Sequence, residues 1–287
     1  MGNLLTQSST SGKNQLEVAI KCAEAAAQII RLRILDTFER DSKIKLGLTT
    51  KNGWNDRVTE VDGEAEKAII EILESEYPEH GIIAEESGVQ GSISSPFQWY
   101  IDPIDGTRNF ASGLPHTCVS VGLWQKHAPI LGVLIDPIRN ETFTAVNGGG
   151  AKVNGIDVFA SEEGNLSEAL LGFDMGYNPE QGNFLLSAIN ELWPQFQSVR
   201  MMGSAALGIT YSGCARLDLY AHHYVQPWDI AAAIIFVQEA GGLVTDLNGE
   251  KIHPHSGHIL AGSPAIHKVF MNSTADSKWR KSVKNAD

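Results

Sequence analysis

One stretch restricts what this chain can fold into more than any other. The run Trp99-Tyr100-Ile101 passes directly into Asp102-Pro103-Ile104-Asp105-Gly106-Thr107-Arg108-Asn109-Phe110. The aromatic-aliphatic run reads as the end of a buried strand, so two carboxylates straddling a proline are carried to the edge of an apolar layer. Pro103 fixes its own φ and biases Asp102 towards an extended conformation, which lets both carboxylates turn to one side of a rigid loop. Gly106 leaves room for close backbone approach, and Thr107 places a hydroxyl beside it. Oxygen donors of this kind suit hard divalent cations, through which a phosphate can be held. A β-turn built from ordinary turn formers is the plainer alternative. The rest of the chain weighs against it.

Upstream, apolar residues at Leu16, Ala19, Ile20, Ala23, Ala26, Ala27, Ile30 and Ile34 recur at helical spacing, predicting a long amphipathic helix over 14–35. Residues 41–54 are polar and contain glycine, and Asn52-Gly53 signals a tight turn, so a loop or hairpin is expected there. A second helix is expected over 63–76, stopped by Pro78, with Asp62 available as its N-cap. Gly81-Ile82-Ile83-Ala84 reads as a short buried strand ending at Glu85-Glu86. Strands follow at 118–124, 130–135 and 141–146, with turns between them. Gly148-Gly149-Gly150 lacks the pattern of a nucleotide loop and reads as a turn between two halves. Beyond it, strands at 170–173, 199–202, 217–221, 243–246 and 259–261 alternate with helices at 183–192, 204–212 and 228–240. Such alternation implies stacked layers of helix and sheet. The expected organisation is a loose segment 1–13, an N-terminal α+β half 14–147 carrying the acidic loop, and a C-terminal α/β half 148–287, the halves forming one unit.

Charge narrows the function. A formal net charge of −12 argues against nucleic acid as a partner. It would also repel a small phosphate ester unless metal ions reverse the local field. No apolar run is long enough to span a bilayer, and 1–13 carries no secretory signal. Three scattered cysteines, Cys22, Cys118 and Cys214, suit a reducing, cytoplasmic setting. Met1-Gly2-Asn3-Leu4-Leu5-Thr6 fits the loose N-myristoylation pattern, a match short enough to arise by chance. The basic end, 278–284, reads as a solvated tail.

Four acidic residues then ask for one explanation: Glu85 at a strand end, Asp102 and Asp105 in the central stretch, and Asp229 in Gln226-Pro227-Trp228-Asp229. Each has a dull role by itself; at the start of a helix, Asp229 would simply oppose the helix dipole. Together they sit at the ends of apolar elements, where separate segments can converge. Ile83-Ala84-Glu85-Glu86-Ser87-Gly88, the central stretch, and Pro227-Trp228-Asp229-Ile230-Ala231-Ala232-Ala233 resemble the signature segments of the inositol monophosphatase family in order and spacing. So do Asp56-x-Val58-Thr59-x-x-Asp62 and Glu239-Ala240-Gly241-Gly242.

The resemblance implies a layered αβαβα sandwich and a Mg²⁺-dependent, lithium-sensitive phosphomonoesterase, commonly a homodimer; the charge and the lack of a spanning run add that no nucleic-acid or membrane partner is expected. By the same resemblance, one Mg²⁺ is held by Glu85, Asp102 and the carbonyl of Ile104, and a second by Asp102, Asp105 and Asp229. Thr107 pairs with Asp62 to orient the attacking water, and Glu85 helps to activate it. Lys51 stands at the position of a family lysine near a third metal. The chemistry is coherent on its own terms, because two cations on four carboxylates leave a site able to accept a dianionic ester.

The alcohol half of the substrate is less determined. Asp105, Gly106, Thr107 and Asp229 border the expected phosphate position, and Gly203-Ser204-Ala205-Ala206 resembles the family segment whose backbone donors meet substrate oxygens at a helix start. Ser204 could equally cap that helix. The inositol phosphatases carry a glutamate seven residues before the Trp-Asp aspartate, and here that position is His222. Inositol monophosphate or a related sugar or polyol phosphate is expected. Fructose 1,6-bisphosphate, histidinol phosphate, 3′-phosphoadenosine 5′-phosphate and a non-catalytic regulatory role stand as alternatives. His253-x-His255-x-x-His258 reads as a polar surface loop, since Pro254 and Gly257 spoil a regular zinc geometry. Arg108 could touch phosphate or serve a structural ion pair.

Overall fold

A computed structural model describes residues 8–50 and 57–276. In chain order its helices are α1 (Gln15–Arg33), α2 (Ser42–Lys45), α3 (Glu60–Glu76), α4 (Thr107–Ala111), α5 (Pro179–Leu192), α6 (Ala205–Gly213), α7 (Pro227–Glu239) and α8 (Pro264–Ser273). Its strands are β1 (Thr49–Thr50), β2 (Arg57–Val58), β3 (Gly81–Ala84), β4 (Gly88–Gly91), β5 (Phe97–Asp105), β6 (Cys118–Gln125), β7 (Ala128–Asp136), β8 (Glu141–Val146), β9 (Gly150–Val153), β10 (Ile156–Val158), β11 (Leu170–Asp174), β12 (Ser198–Met201), β13 (Leu219–His223), β14 (Leu243–Thr245) and β15 (His258–Gly262). The eight-stranded sheet runs β10-β9-β8-β7-β6-β5-β3-β4 and the five-stranded one β12-β11-β13-β15-β14.

The layers follow from which faces are apolar. α1 and α3 bury alanines, valines and isoleucines on one face of the large sheet. α6 and α7 are apolar all round, and they lie between the two sheets. α5 and α8 cover the outer face of the small sheet with Leu185, Ile189, Ile266 and Phe270. The result is the αβαβα sandwich expected from the sequence. No helix among the described residues is long and apolar enough to cross a membrane.

One contact between layers matters for the site. Gly122 on β6 and Gly132 on β7 are cross-strand partners. A Cβ on Gly122 would come within 2.8 Å of the Ala232 nitrogen, and one on Gly132 within 2.2 Å of the Ala232 oxygen. The paired glycines are therefore a seat for the backbone of α7, and Trp124 Nε1 donates to the Ala231 oxygen at 3.0 Å beside it. This sets where the first turn of α7, with Asp229, stands above the large sheet.

Several elements depart from expectation. The second helix begins at Glu60 with Thr59 as its N-cap, so Asp62 lies inside the first turn and is not the cap. The central stretch is not a loop: its first four residues continue β5, where a bulge absorbs the proline, and its last four lie in α4. The strand expected at 217–221 runs at Leu219–His223, and α8 was not anticipated, although Ser263-Pro264 is an ordinary start signal for it. The polar segment 41–54 contributes β1, which pairs antiparallel with β2 just beyond the segment. The turn Asn52-Gly53, Lys51 and Asp56, together with Gly2 and the basic tail, lie outside the described residues.

Candidate metal centre

The bulge in β5 is what brings the first two carboxylates together. Asp102 pairs with Ser120 and Asp105 with Cys118, so three steps along β5 are set against two along β6. In a regular strand, residues three apart face opposite sides of the sheet. The extra residue cancels that alternation and turns both side chains to the same side. Asp102 Oδ1 accepts from its neighbour Ile104 N at 2.9 Å, which locks the turn.

α7 contributes the third group. Ser120, the partner of Asp102 on β6, donates through its hydroxyl to the Trp228 oxygen at 3.3 Å. Gln226 N donates to Asp229 Oδ2 at 2.7 Å. Carboxylate oxygens of Asp102, Asp105 and Asp229 lie within 4.8 Å of one another. Glu85, one residue beyond β3, faces Asp102 closely enough to share a hydrogen bond with it. The Asp102 carboxyl is held well above its ordinary range by burial, and then by the charges of Glu85, Asp105 and Asp229. Asp105 is pushed up to about 6 by burial, against the opposing pull of the donors on α6. Asp102, whose ionisation three neighbouring carboxylates oppose, belongs to a donor set that a hard cation would relieve. Among the described residues this is the only cluster of metal-ligating side chains.

Gly106 links the cluster to α4 and adopts φ +86°. A Cβ there would meet the Gly203 oxygen at 2.9 Å and the His116 oxygen at 3.1 Å. The glycine thus serves a close approach of protein backbone. Thr107 opens α4, with its Oγ1 at 3.0 Å from both Asp62 Oδ1 and the Ile104 oxygen. Thr59 N donates to the other oxygen of Asp62 at 2.8 Å, so this buried carboxylate has a donor on each side.

The start of α6 meets the cluster at Asp105. The Ser204 hydroxyl donates to Asp105 Oδ2, and the N–H groups of Ala205 and Ala206 donate to its carboxylate at 3.1 Å each. Ser204 occupies the N-cap position without capping through its own side chain. Asp105 takes that place, and the backbone donors read from the sequence as substrate contacts are engaged by it.

Gly203 N turns the other way, to Asp174 Oδ1 at 2.6 Å. Asp174 Oδ2 accepts from the Tyr220 hydroxyl at 2.8 Å, and Tyr220 lies 3.2 Å from His222 Nδ1. Because the phenol spends its hydrogen on Asp174, its oxygen accepts from His222 Nδ1–H, which leaves His222 Nε2 as an acceptor. Among the described residues no group pairs with that nitrogen. Burial holds His222 at about 3 and the Asp174 carboxyl up at about 7. Asp174 and Tyr220 were not singled out by sequence; the only trace of Asp174 was its place at a strand end.

Arg108 is exposed, with its guanidinium 5.7 Å from the ring centre of Tyr177. The three histidines of the C-terminal segment do not converge: His258 Nδ1 accepts from Leu247 N, His253 Nδ1 from His255 N, and His255 lies by the Tyr100 hydroxyl.

The profile of the inositol monophosphatase family matches residues 13–280. The chain is 40% identical over 260 residues to a Pasteurella multocida protein named Nus factor SuhB, covering 90% of this chain and 94% of that one. It is 38% identical over 232 residues to the inositol-1-monophosphatase of Synechocystis sp., covering 78% and 79% of the two chains. Among solved structures, the extragenic suppressor protein suhB of Bartonella henselae superposes with a TM-score of 0.85 at 29% identity, over 91% of this chain and 98% of that one.

Proposed function

The chain belongs to the inositol monophosphatase family, and from that premise we propose that it is a Mg²⁺-dependent hydrolase of a small phosphate monoester. The observation that carries the reading is the meeting of Asp102, Asp105 and Asp229, with Glu85 beside Asp102, from elements far apart in sequence. Their mutual repulsion is a poor bargain for a fold unless a cation compensates it. Glu85, Asp102, Asp105, Asp229 and the Ile104 carbonyl would hold Mg²⁺, and Lys51 is proposed beside them. Magnesium bound there would supply the positive charge that polarises a phosphoryl oxygen and acidifies water.

The protein's own groups then do the positioning. Thr107, donating to Asp62, keeps its lone pairs for a hydrogen of the attacking water, and it can accept that proton because Asp62 can take its own. Glu85 would assist as a second acceptor. Residues 105–107 border the phosphate, while the first-turn donors of α6 hold the Asp105 carboxylate in place. His222 Nε2 would accept a hydrogen bond from a hydroxyl of the alcohol half. Its ring stays neutral at any ordinary pH, so the site lacks the fixed negative charge of the inositol phosphatases at this position. That favours a sugar or polyol phosphate without restricting it to inositol. Lithium sensitivity and a homodimeric assembly belong to the same proposal.

The test is a panel of sugar, polyol and nucleotide phosphate esters with Mg²⁺, with and without added Li⁺. The expected result is hydrolysis of at least one polyol or sugar phosphate that requires Mg²⁺ and falls on adding Li⁺. If no ester is hydrolysed, the proposal fails, and a non-catalytic role of the kind suggested by the name of the Pasteurella relative takes its place.

A further inference from the structure

α3 carries a second buried carboxylate, Glu66, one helical turn after Asp62 and so on the same face. Its two oxygens accept from successive backbone N–H groups: Oε2 from Glu86 at 2.7 Å and Oε1 from Ser87 at 2.8 Å. Those residues belong to the three-residue loop 85–87 that closes the hairpin between β3 and β4, where Ala84 pairs with Gly88. The first residue of that loop is Glu85. Its own N–H is pinned to the Ile101 oxygen of β5 at 3.1 Å.

From this arrangement we propose that Glu66 is a positioning residue for cation binding: it clamps the backbone on the far side of Glu85 and so aims the Glu85 carboxylate at Asp102. The proposal rests on the reading that Glu85 is a metal ligand. Ile101 O holds one side of Glu85 and Glu66 the other, which leaves its side chain little freedom to leave the cluster. A buried carboxylate is expensive beside other carboxylates, and two charge-assisted bonds to backbone N–H groups are what make this one tolerable. The spacing adds a second consequence. Four residues of helix rise about 6 Å, so α3 is a rigid ruler between two attachments. At one end Asp62 engages Thr107, and at the other Glu66 engages the Glu85 loop. The water-orienting pair and a metal ligand are thereby registered through one helix, whose Ala65 and Ile69 are packed into the core below them.

The direct test is calorimetric titration of the substrate-free protein with Mg²⁺, comparing wild type with Glu66→Gln. The amide keeps one acceptor and sets an NH₂ against a backbone N–H, so one clamp bond is lost with little change of shape. Mg²⁺ binding is expected to weaken by about 10–100-fold, as for other groups that orient metal ligands. In a Glu85→Gln background the same substitution should weaken it no further, because the group being aimed is already disabled. In turnover assays the half-activating Mg²⁺ concentration should rise, with kcat recovering at high Mg²⁺ and KM for the ester unchanged at saturation. A lower melting temperature with wild-type Mg²⁺ affinity would overturn the proposal, as would equal effects of Glu66→Gln with and without the Glu85 carboxylate. If Glu66→Gln does not fold, Glu66→Asp decides the matter, since it keeps the charge but cannot span both N–H groups. A wild type that binds Mg²⁺ yet hydrolyses no ester would remove the phosphatase reading and leave this comparison to stand or fall by itself.

Discussion

Replacing Asp105 by asparagine sets two opposed effects against each other. Asp105 caps α6, accepting from Ala205 N, Ala206 N and the Ser204 hydroxyl. Asparagine keeps one acceptor oxygen and turns an NH₂ towards those donors, a loss of about 1–3 kcal/mol. In the other direction, burial holds the Asp105 carboxyl at about 6 in place of its ordinary 3.8, in spite of the donors. That displacement corresponds to about 3 kcal/mol against the charged form. Because the folded value is raised, the contribution of Asp105 to stability is whole below 3.8 and is lost as pH rises through about 6. The asparagine is uncharged throughout and escapes that loss. Without metal at pH 7 the two effects nearly cancel, so the variant should lie within about 2 kcal/mol of wild type. With Mg²⁺ the two proteins part company. Wild type should gain about 2.7 kcal/mol at a hundredfold excess over its dissociation constant, while the variant gains much less and turns over no ester. Urea denaturation followed by tryptophan fluorescence, at about pH 4.5 and about pH 7 with and without Mg²⁺, reads all of these terms. Equal Mg²⁺ stabilisation of variant and wild type would refute the reasoning, because Asp105 could then be no ligand.

Three further outcomes are expected. Thr107→Val should lower kcat by about 10²–10⁴-fold with little change in KM, since it removes the hydroxyl that faces Asp62; a loss of less than tenfold in steady-state assays would argue against a water-orienting role. Gly106→Ala should lower the stability measured in urea by about 2–4 kcal/mol, combining a left-handed backbone with a Cβ forced against the Gly203 and His116 oxygens. Tyr220→Phe frees the His222 ring from its partner and should raise KM by about 2–10-fold with a smaller effect on kcat. Unchanged KM across the whole ester panel would remove His222 from the substrate's alcohol half.

Much of the molecule was readable where a cause is local. α1 begins at Gln15 behind its N-cap Asn14, whose side chain and that of Glu17 make reciprocal caps three residues apart. Pro227 opens α7 for the same kind of reason. Apolar periodicity implied stacked layers of helix and sheet, and the resemblance of the acidic segments to a family supplied their αβαβα order. The misreadings came from competition that a local view cannot weigh. Pro103 was read as part of a rigid loop, yet it lies inside β5, where the bulge opposite Cys118 and Ser120 accommodates it. Asp62 was read as the cap of α3, but Thr59 takes that position and Asp62 accepts instead from Thr107. Ser204 was eligible to cap α6, and the carboxylate of Asp105, brought in from another sheet, displaced it.

By itself the amino-acid sequence determined which carboxylates to look for: the order and spacing of Glu85, Asp102, Asp105 and Asp229 are properties of the chain. Only the tertiary structure decided that Asp102, Asp105 and Asp229 meet. The partners of Asp174 and Glu66 come from other elements, and no periodicity encodes a hydrogen bond between a helix and a distant hairpin. The meeting of Asp229 with Asp102 depends on α7 settling onto Gly122 and Gly132. Local rules follow from covalent geometry and the pitch of helix and strand. Which surfaces meet is settled by close packing, and packing is a property of the whole chain at once.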